Sequence, residues 1–119
     1  MTANTVLIFK ITTAPAWAAA VDRGVFAGSP DDVRDGYIHL SSQDQLAGTA
    51  VKYYAGVEDL VLVAVEAEQL GDRLKWESSR GGALFPHCYG ALPVAAALWV
   101  RPLPLDKNGV PCVAETRSQ

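Results

Sequence analysis

The sequence predicts an α+β fold, a compact mixed sheet carrying two or more helices, and three observations lead there. Leu60-Val61-Leu62-Val63-Ala64-Val65 is apolar, rich in β-branched residues and too short for an average buried helix. Two stretches carry helix signals, one running from Thr13 to Gly24 and one from Ser41 or Ser42 to just before Gly56. The connections between several strand-like runs are short, which suits an α+β sheet better than a regular doubly wound one.

Taken in order, Val6-Leu7-Ile8-Phe9 and Ile11 form a nearly continuous apolar run broken by Lys10, as in a strand buried on both faces. Thr13 can cap the helix that follows, Pro15 is tolerated in its first turn, and Ala16, Trp17, Ala20 and Val21 give it an apolar stripe. Val25-Phe26 is a brief apolar step, and Gly28-Ser29-Pro30-Asp31-Asp32 reads as a turn, as does Asp35-Gly36. Tyr37-Ile38-His39-Leu40 is then a short strand, with Tyr37 and His39 on one face and Ile38 and Leu40 on the other.

Ser41 with Asp44, or Ser42 with Gln45, has capping-box spacing, and Leu46, Ala47, Ala50, Val51 and Tyr54 form the stripe of the second helix. Its N-terminal amides would lie near His39, a setting for phosphate or carboxylate. The strongest strand, residues 60–65, should be central. Leu74 and Trp76 alternate with Lys75 and Glu77 in another short strand, and Ser78-Ser79-Arg80-Gly81-Gly82 should bend sharply. Phe85-Pro86-His87-Cys88-Tyr89-Gly90 is proline-constrained, residues 93–100 carry the last strong strand signal with a helical alternative left open by their alanines, and residues 110–113 suggest a small terminal strand.

The 119 residues suit one domain, residues 1–119, with flexible ends expected at 1–5 and 114–119, and half of the residues are apolar. A net charge of −3 with ten Lys plus Arg argues against general binding to a nucleic-acid backbone. No apolar run approaches the roughly 20 residues of a membrane span, and no basic-then-apolar leader precedes the first strand. A cytoplasmic protein with Cys88 and Cys112 as free thiols is therefore expected. There is no Cys-x-x-Cys pair or His-Glu-x-x-His helix, so no metal site is expected.

Three patches carry candidate chemistry. His39 can accept a proton or bind a hydroxyl, with Ser41 two residues on and Tyr37 and Ser42 beside it; the alternative is a backbone-bonded histidine next to a helix cap. In Trp76-Glu77-Ser78-Ser79-Arg80, Glu77 can orient a hydroxyl or support a cationic sugar-like transition state, and Arg80 can hold phosphate; the alternative is a solvated pair. His87 and Tyr89 form the third, with Phe85 and Tyr89 able to flank a planar ligand or, for Phe85, to pack in the core. His39, Glu77 and His87 are thus the candidate catalytic residues, and Tyr37, Ser41, Ser42, Trp76, Arg80 and Tyr89 the candidate ligand contacts.

At Asp35-Gly36-Tyr37-Ile38-His39-Leu40-Ser41 with Gln45 and Thr49-Ala50, then Leu74-Lys75-Trp76-Glu77-Ser78, Leu84-Phe85-Pro86-His87 and Tyr89-Gly90, the sequence resembles the DUF952 family of small bacterial and plant proteins. The resemblance covers roughly residues 6–113 and assigns no biochemical function. More remotely, it is similar to the ADP-ribosyltransferase-like fold, and His39-Leu40-Ser41 followed by a helix resembles the RNA 2′-phosphotransferase branch. That likeness implies a histidine holding the NAD ribose, which maps to His39, and arginines on phosphate, for which Arg80 is a candidate by chemistry. The expected function is binding of a nucleotide or ADP-ribose-like molecule, with NAD as the implied cofactor and transfer or cleavage at the ribose. The alternative is a noncatalytic small-molecule-binding or protein-interaction domain.

Overall fold

The computed structural model describes residues 6–113, and the expected flexible ends at 1–5 and 114–119 lie outside them. The first strand, β1 (Leu7–Thr13), runs into α1 (Ala14–Arg23), which Thr13 caps by accepting from the Ala16 N–H at 3.2 Å. Gly24 ends that helix in the left-handed region at φ 85, where a β-carbon would be strained. Next come β2 (Val25–Phe26), α2 (Pro30–Asp35), β3 (Ile38–His39), β4 (Ser41–Ser42) and α3 (Leu46–Tyr54). The rest is strand and 3₁₀ turn: β5 (Leu60–Glu66), β6 (Leu74–Ser79), β7 (Ala83–Cys88), β8 (Leu92–Pro93) and β9 (Ala97–Leu103).

The α+β class expected from the sequence is the one observed. Its main sheet has the order β4-β1-β5-β9, all antiparallel, and smaller sheets pair β2 with β8 and order β3-β7-β6. β5 sits between β1 and β9, which explains its unbroken apolar run. Alternate residues of β1 and β5 enter two separate cores. Ile8, Val63 and Val65 pack with Trp17 and Ala20 of α1 and with Ile38 and Cys88 of the smaller sheet. Phe9, Ile11, Leu62 and Ala64 pack with Leu46 and Ala50 of α3. One helix therefore covers each face of the main sheet.

Several local expectations differ from the structure. The stretch Ser29 to Asp35, read as turns, is a short helix: Ser29 and Asp32 form a capping box and Pro30 occupies the first turn. Helical periodicity could not reveal it, because its one buried residue is an aspartate. Ala47 and Val51 do not join the buried stripe of α3 and are exposed. The last strand signal is split by a 3₁₀ turn at Val94–Ala96 into β8 and β9. Residues 110–113 contribute only an isolated bridge, Leu105 with Pro111. Proline at 102, 104 and 111 removes the donors a longer pairing would need.

Candidate functional site

The site begins with the residue that interrupts the first apolar run. Lys10 lies on the Ile8 face of β1, and its side chain is only 3% exposed. A buried ammonium is stable only when its donors are taken up. Lys10 Nζ meets Asp32 Oδ2 at 2.9 Å and Oδ1 at 3.2 Å, and donates to the His39 carbonyl at 3.1 Å. Burial pulls the Lys10 ammonium below its usual range, against the charge and hydrogen bond of Asp32.

Asp32, 2% exposed, is the hub. Besides Lys10 it accepts from the Ser29 N–H at 2.9 Å and from the His39 N–H at 3.0 Å, and its Oδ1 lies 2.6 Å from His39 Nδ1. Burial by itself would raise this carboxyl. The hydrogen bond from His39 and the charge of Lys10 outweigh burial and hold it well below the usual carboxylate range. An ionised Asp32 can only accept, so Nδ1 of His39 carries the proton. The other ring nitrogen, Nε2, lies 3.0 Å from Asp35 at the end of α2.

A second histidine is placed opposite the first by strand pairing, since His39 of β3 is in register with His87 of β7. His87 Nδ1 lies 2.7 Å from Glu77 Oε1, and the Tyr89 hydroxyl donates to the same oxygen at 2.8 Å. Those two hydrogen bonds hold Glu77 below its ordinary value, so it too accepts and the His87 proton sits on Nδ1. Tyr37 stacks on His87 with ring centroids 4.0 Å apart and lies 4.7 Å from the His39 ring, while the two imidazoles are 5.8 Å apart.

These groups border a cavity of about 330 Å³, lined among others by Tyr37, His39, Ser41, Tyr53, Phe85 and His87. That is near the lower end of the ~300–1,000 Å³ usual for small-molecule sites. Ser41 reaches Thr49 at 3.0 Å. Burial pushes the Tyr54 hydroxyl up to about 12, and it donates to the Ile11 carbonyl at 3.1 Å, so it stays neutral.

The structure thus brings Tyr37, His39, Ser41 and His87 to one cavity, with Glu77 and Tyr89 behind His87. Glu77 meets the site through an imidazole and is not itself among the described lining residues. Ser42 lies off the cavity, where its N–H donates to Gln45 Oε1 at 2.9 Å as the capping spacing anticipated. Trp76 lies on the alternate face of β6 and is 43% exposed. The Arg80 side chain lies outside the described set. Sequence reading missed Lys10, Asp32 and Asp35; a lysine inside an apolar strand and a Ser-Pro-Asp-Asp capping box were the available signals.

Among the described residues no group of three or more His, Cys, Asp or Glu is arranged to hold a metal ion. Among them, too, no helix is long and apolar enough to cross a membrane.

Fold and site together define a small α+β protein whose sheets carry a histidine-lined cavity, each histidine backed by a carboxylate. The DUF952 family model, described as "Protein of unknown function", matches residues 11–100, and the chain belongs to that family. It is similar to Protein CC0527 from Caulobacter crescentus, whose X-ray structure is 48% identical with a TM-score of 0.92, covering 95% of this chain and 99% of that one. The NMR structure of CC0527 is 49% identical with a TM-score of 0.83, covering 92% and 95%. A double mutant of that protein matches at 47% and 0.92, with coverage of 95% and 99%. No curated protein matches the chain.

Proposed function

We propose that the cavity binds a nucleotide or ADP-ribose-like molecule through its ribose, and that transfer or cleavage at that ribose is the chemistry it supports. One observation carries the reading: two histidines, each meeting a carboxylate at Nδ1, face each other on paired strands beside a stacked tyrosine at one cavity. In this reading His39 holds the ribose, and Tyr37 or Phe85 flanks the planar ring. Glu77 acts through His87 on the acceptor or on developing sugar charge. Arg80 is the candidate for phosphate by its chemistry. The remote sequence resemblance to the ADP-ribosyltransferase-like fold makes NAD the candidate donor in this reading.

Ligand-detected NMR of wild-type and His39→Ala protein against NAD, ADP-ribose and phosphorylated nucleotides tests this. Binding that is lost in the variant supports the His39 site. Absence of binding to all of them refutes it. Saturable binding without product would make the domain a noncatalytic binding module, a reading favoured by Glu77 standing back from the cavity.

A further inference from the structure

We infer that the open edge of β6 is a docking site for a second copy of this chain, the two β6 strands pairing antiparallel about a two-fold axis at Trp76. The inference goes beyond the reading above and holds whichever ligand the cavity takes.

The smaller sheet runs β3-β7-β6, so β7 takes one edge of β6, and among the described residues no strand takes the other. Such an edge is a template for a further strand. The ladder fixes which backbone groups face outward. The Tyr89 N–H donates to the Arg73 carbonyl at 2.8 Å, in the same register that pairs Leu74 with Cys88. Antiparallel pairs alternate between bonded and non-bonded, so Lys75 and Glu77 turn their backbone groups to β7, and Leu74, Trp76 and Ser78 turn theirs away. Pro86, opposite Trp76, agrees with this: it has no N–H to give, and its carbonyl accepts from Leu40 on the far side. The Leu74 N–H is taken by the Gly71 carbonyl. The groups of Trp76 and Ser78 lie on the open side.

The sequence of this edge selects its own copy. Pairing about Trp76 sets Lys75 of each chain opposite the partner's Glu77, and Leu74 opposite the partner's Ser78. Trp76 exchanges N–H and carbonyl bonds with the partner's Trp76, and the Ser78 N–H donates to the partner's Leu74 carbonyl. Lys75 and Glu77 then occupy the non-bonded positions, where opposed side chains come closest. A lysine in an edge strand ordinarily discourages pairing. Here the partner meets it with a carboxylate. Glu77 can accept it, because His87 and Tyr89 both bond Oε1 and the side chain is 40% exposed. On the opposite face the two exposed Trp76 rings come side by side, with Leu84, also exposed, one strand away. The other long edge, β9, contains Pro102 and pairs with β5 through a register shift, features that work against a further strand.

One strand from each chain makes a small interface, of the class below about 1,200 Å² that associates weakly. Sedimentation velocity on wild-type protein from about 1 μM to about 1 mM is therefore the test, and the weight-average mass should rise from one chain toward two. A single-chain mass throughout overturns the dimer. Lys75→Glu opposes carboxylates across the axis and Glu77→Lys opposes ammonium groups, so each variant alone should move the midpoint at least about tenfold higher in concentration. Mixed together they present opposite charges at both positions and should recover the wild-type midpoint. Association of Lys75→Glu equal to wild type, or a mixture of folded variants no tighter than its components, overturns the β6 register.

Amide hydrogen exchange gives a readout that needs no variant. The Trp76 and Ser78 N–H groups should gain protection as concentration rises through the midpoint. A dimer in which both stay unprotected overturns the pairing. Should Glu77→Lys fail to fold, Lys75→Glu and the exchange data decide the matter between them.

Discussion

Replacing Lys10 with methionine removes the buried charge while keeping most of the side chain's packing. The ammonium is 3% exposed and touches both Asp32 oxygens and the His39 carbonyl, so its loss strands a carboxylate and an acceptor. Removing one partner of a buried pair costs about 3–5 kcal/mol. Asp32 keeps three donors, the N–H groups of Ser29 and His39 and the His39 ring, which places the expectation at the lower end, about 3 kcal/mol. At about 4 °C per kcal/mol the thermal midpoint should fall by about 12 °C. Urea unfolding with linear extrapolation gives the free energy directly. In a cycle with Asp32→Asn, the double variant should lose clearly less than the sum of the singles. A loss below about 1 kcal/mol for Lys10→Met, the scale of an exposed ion pair, would refute the claim that this pair is a buried structural hub.

Acid stability tests the same hub from the other side. The folded Asp32 carboxyl is held below its unfolded value of about 3.9, so its contribution is complete above that pH and is lost as pH falls below it. Urea midpoints should therefore drop more steeply below about pH 4 in wild type than in Asp32→Asn. Gly28 has φ 117, and a β-carbon there would lie 2.9 Å from Asp32 Cβ. Gly28→Ala should destabilise the fold by about 1–3 kcal/mol and shift the His39 ring resonances, as read by denaturation and NMR. The Cys88 thiol is buried and pushed up by that burial, whereas Cys112 is part-exposed, so iodoacetamide should label Cys112 first under native conditions, as peptide mapping will show. Trp17→Ala should cost about 3–5 kcal/mol and Trp76→Ser within about 0.5, because the first is buried against Phe26 and the second is exposed.

The elements that sequence reading located are those whose signals are local. Thr13, Gly24 and the apolar stripe with Trp17 define α1 within a single short stretch, and the Ser42–Gln45 spacing marks the approach to α3. The 60–65 run announced a central strand because both of its faces are buried. Where a local signal was absent the reading failed. Helix α2 buries an aspartate instead of an apolar stripe, and the alanines of the 93–100 run left helix and strand both open without marking the 3₁₀ turn that moves its two ends into different sheets.

His39, His87, Glu77 and Tyr37 were legible by residue type and motif, but their association was not. His39 and His87 are far apart in the chain and meet only through the pairing of β3 with β7. The hub under them was hidden for a sharper reason: a charged side chain in a sequence signals solvent, so Lys10 read as a break in an apolar strand and Asp32, 22 residues away, as part of a turn. By itself the sequence determined the class of fold, the capped helices and the central strand, because propensity, capping and periodicity act over a few residues. The tertiary structure alone decided which charges are buried, which carboxylates meet each imidazole and which residues share a cavity. Those properties depend on desolvation and on partners brought close only by the folded sheets.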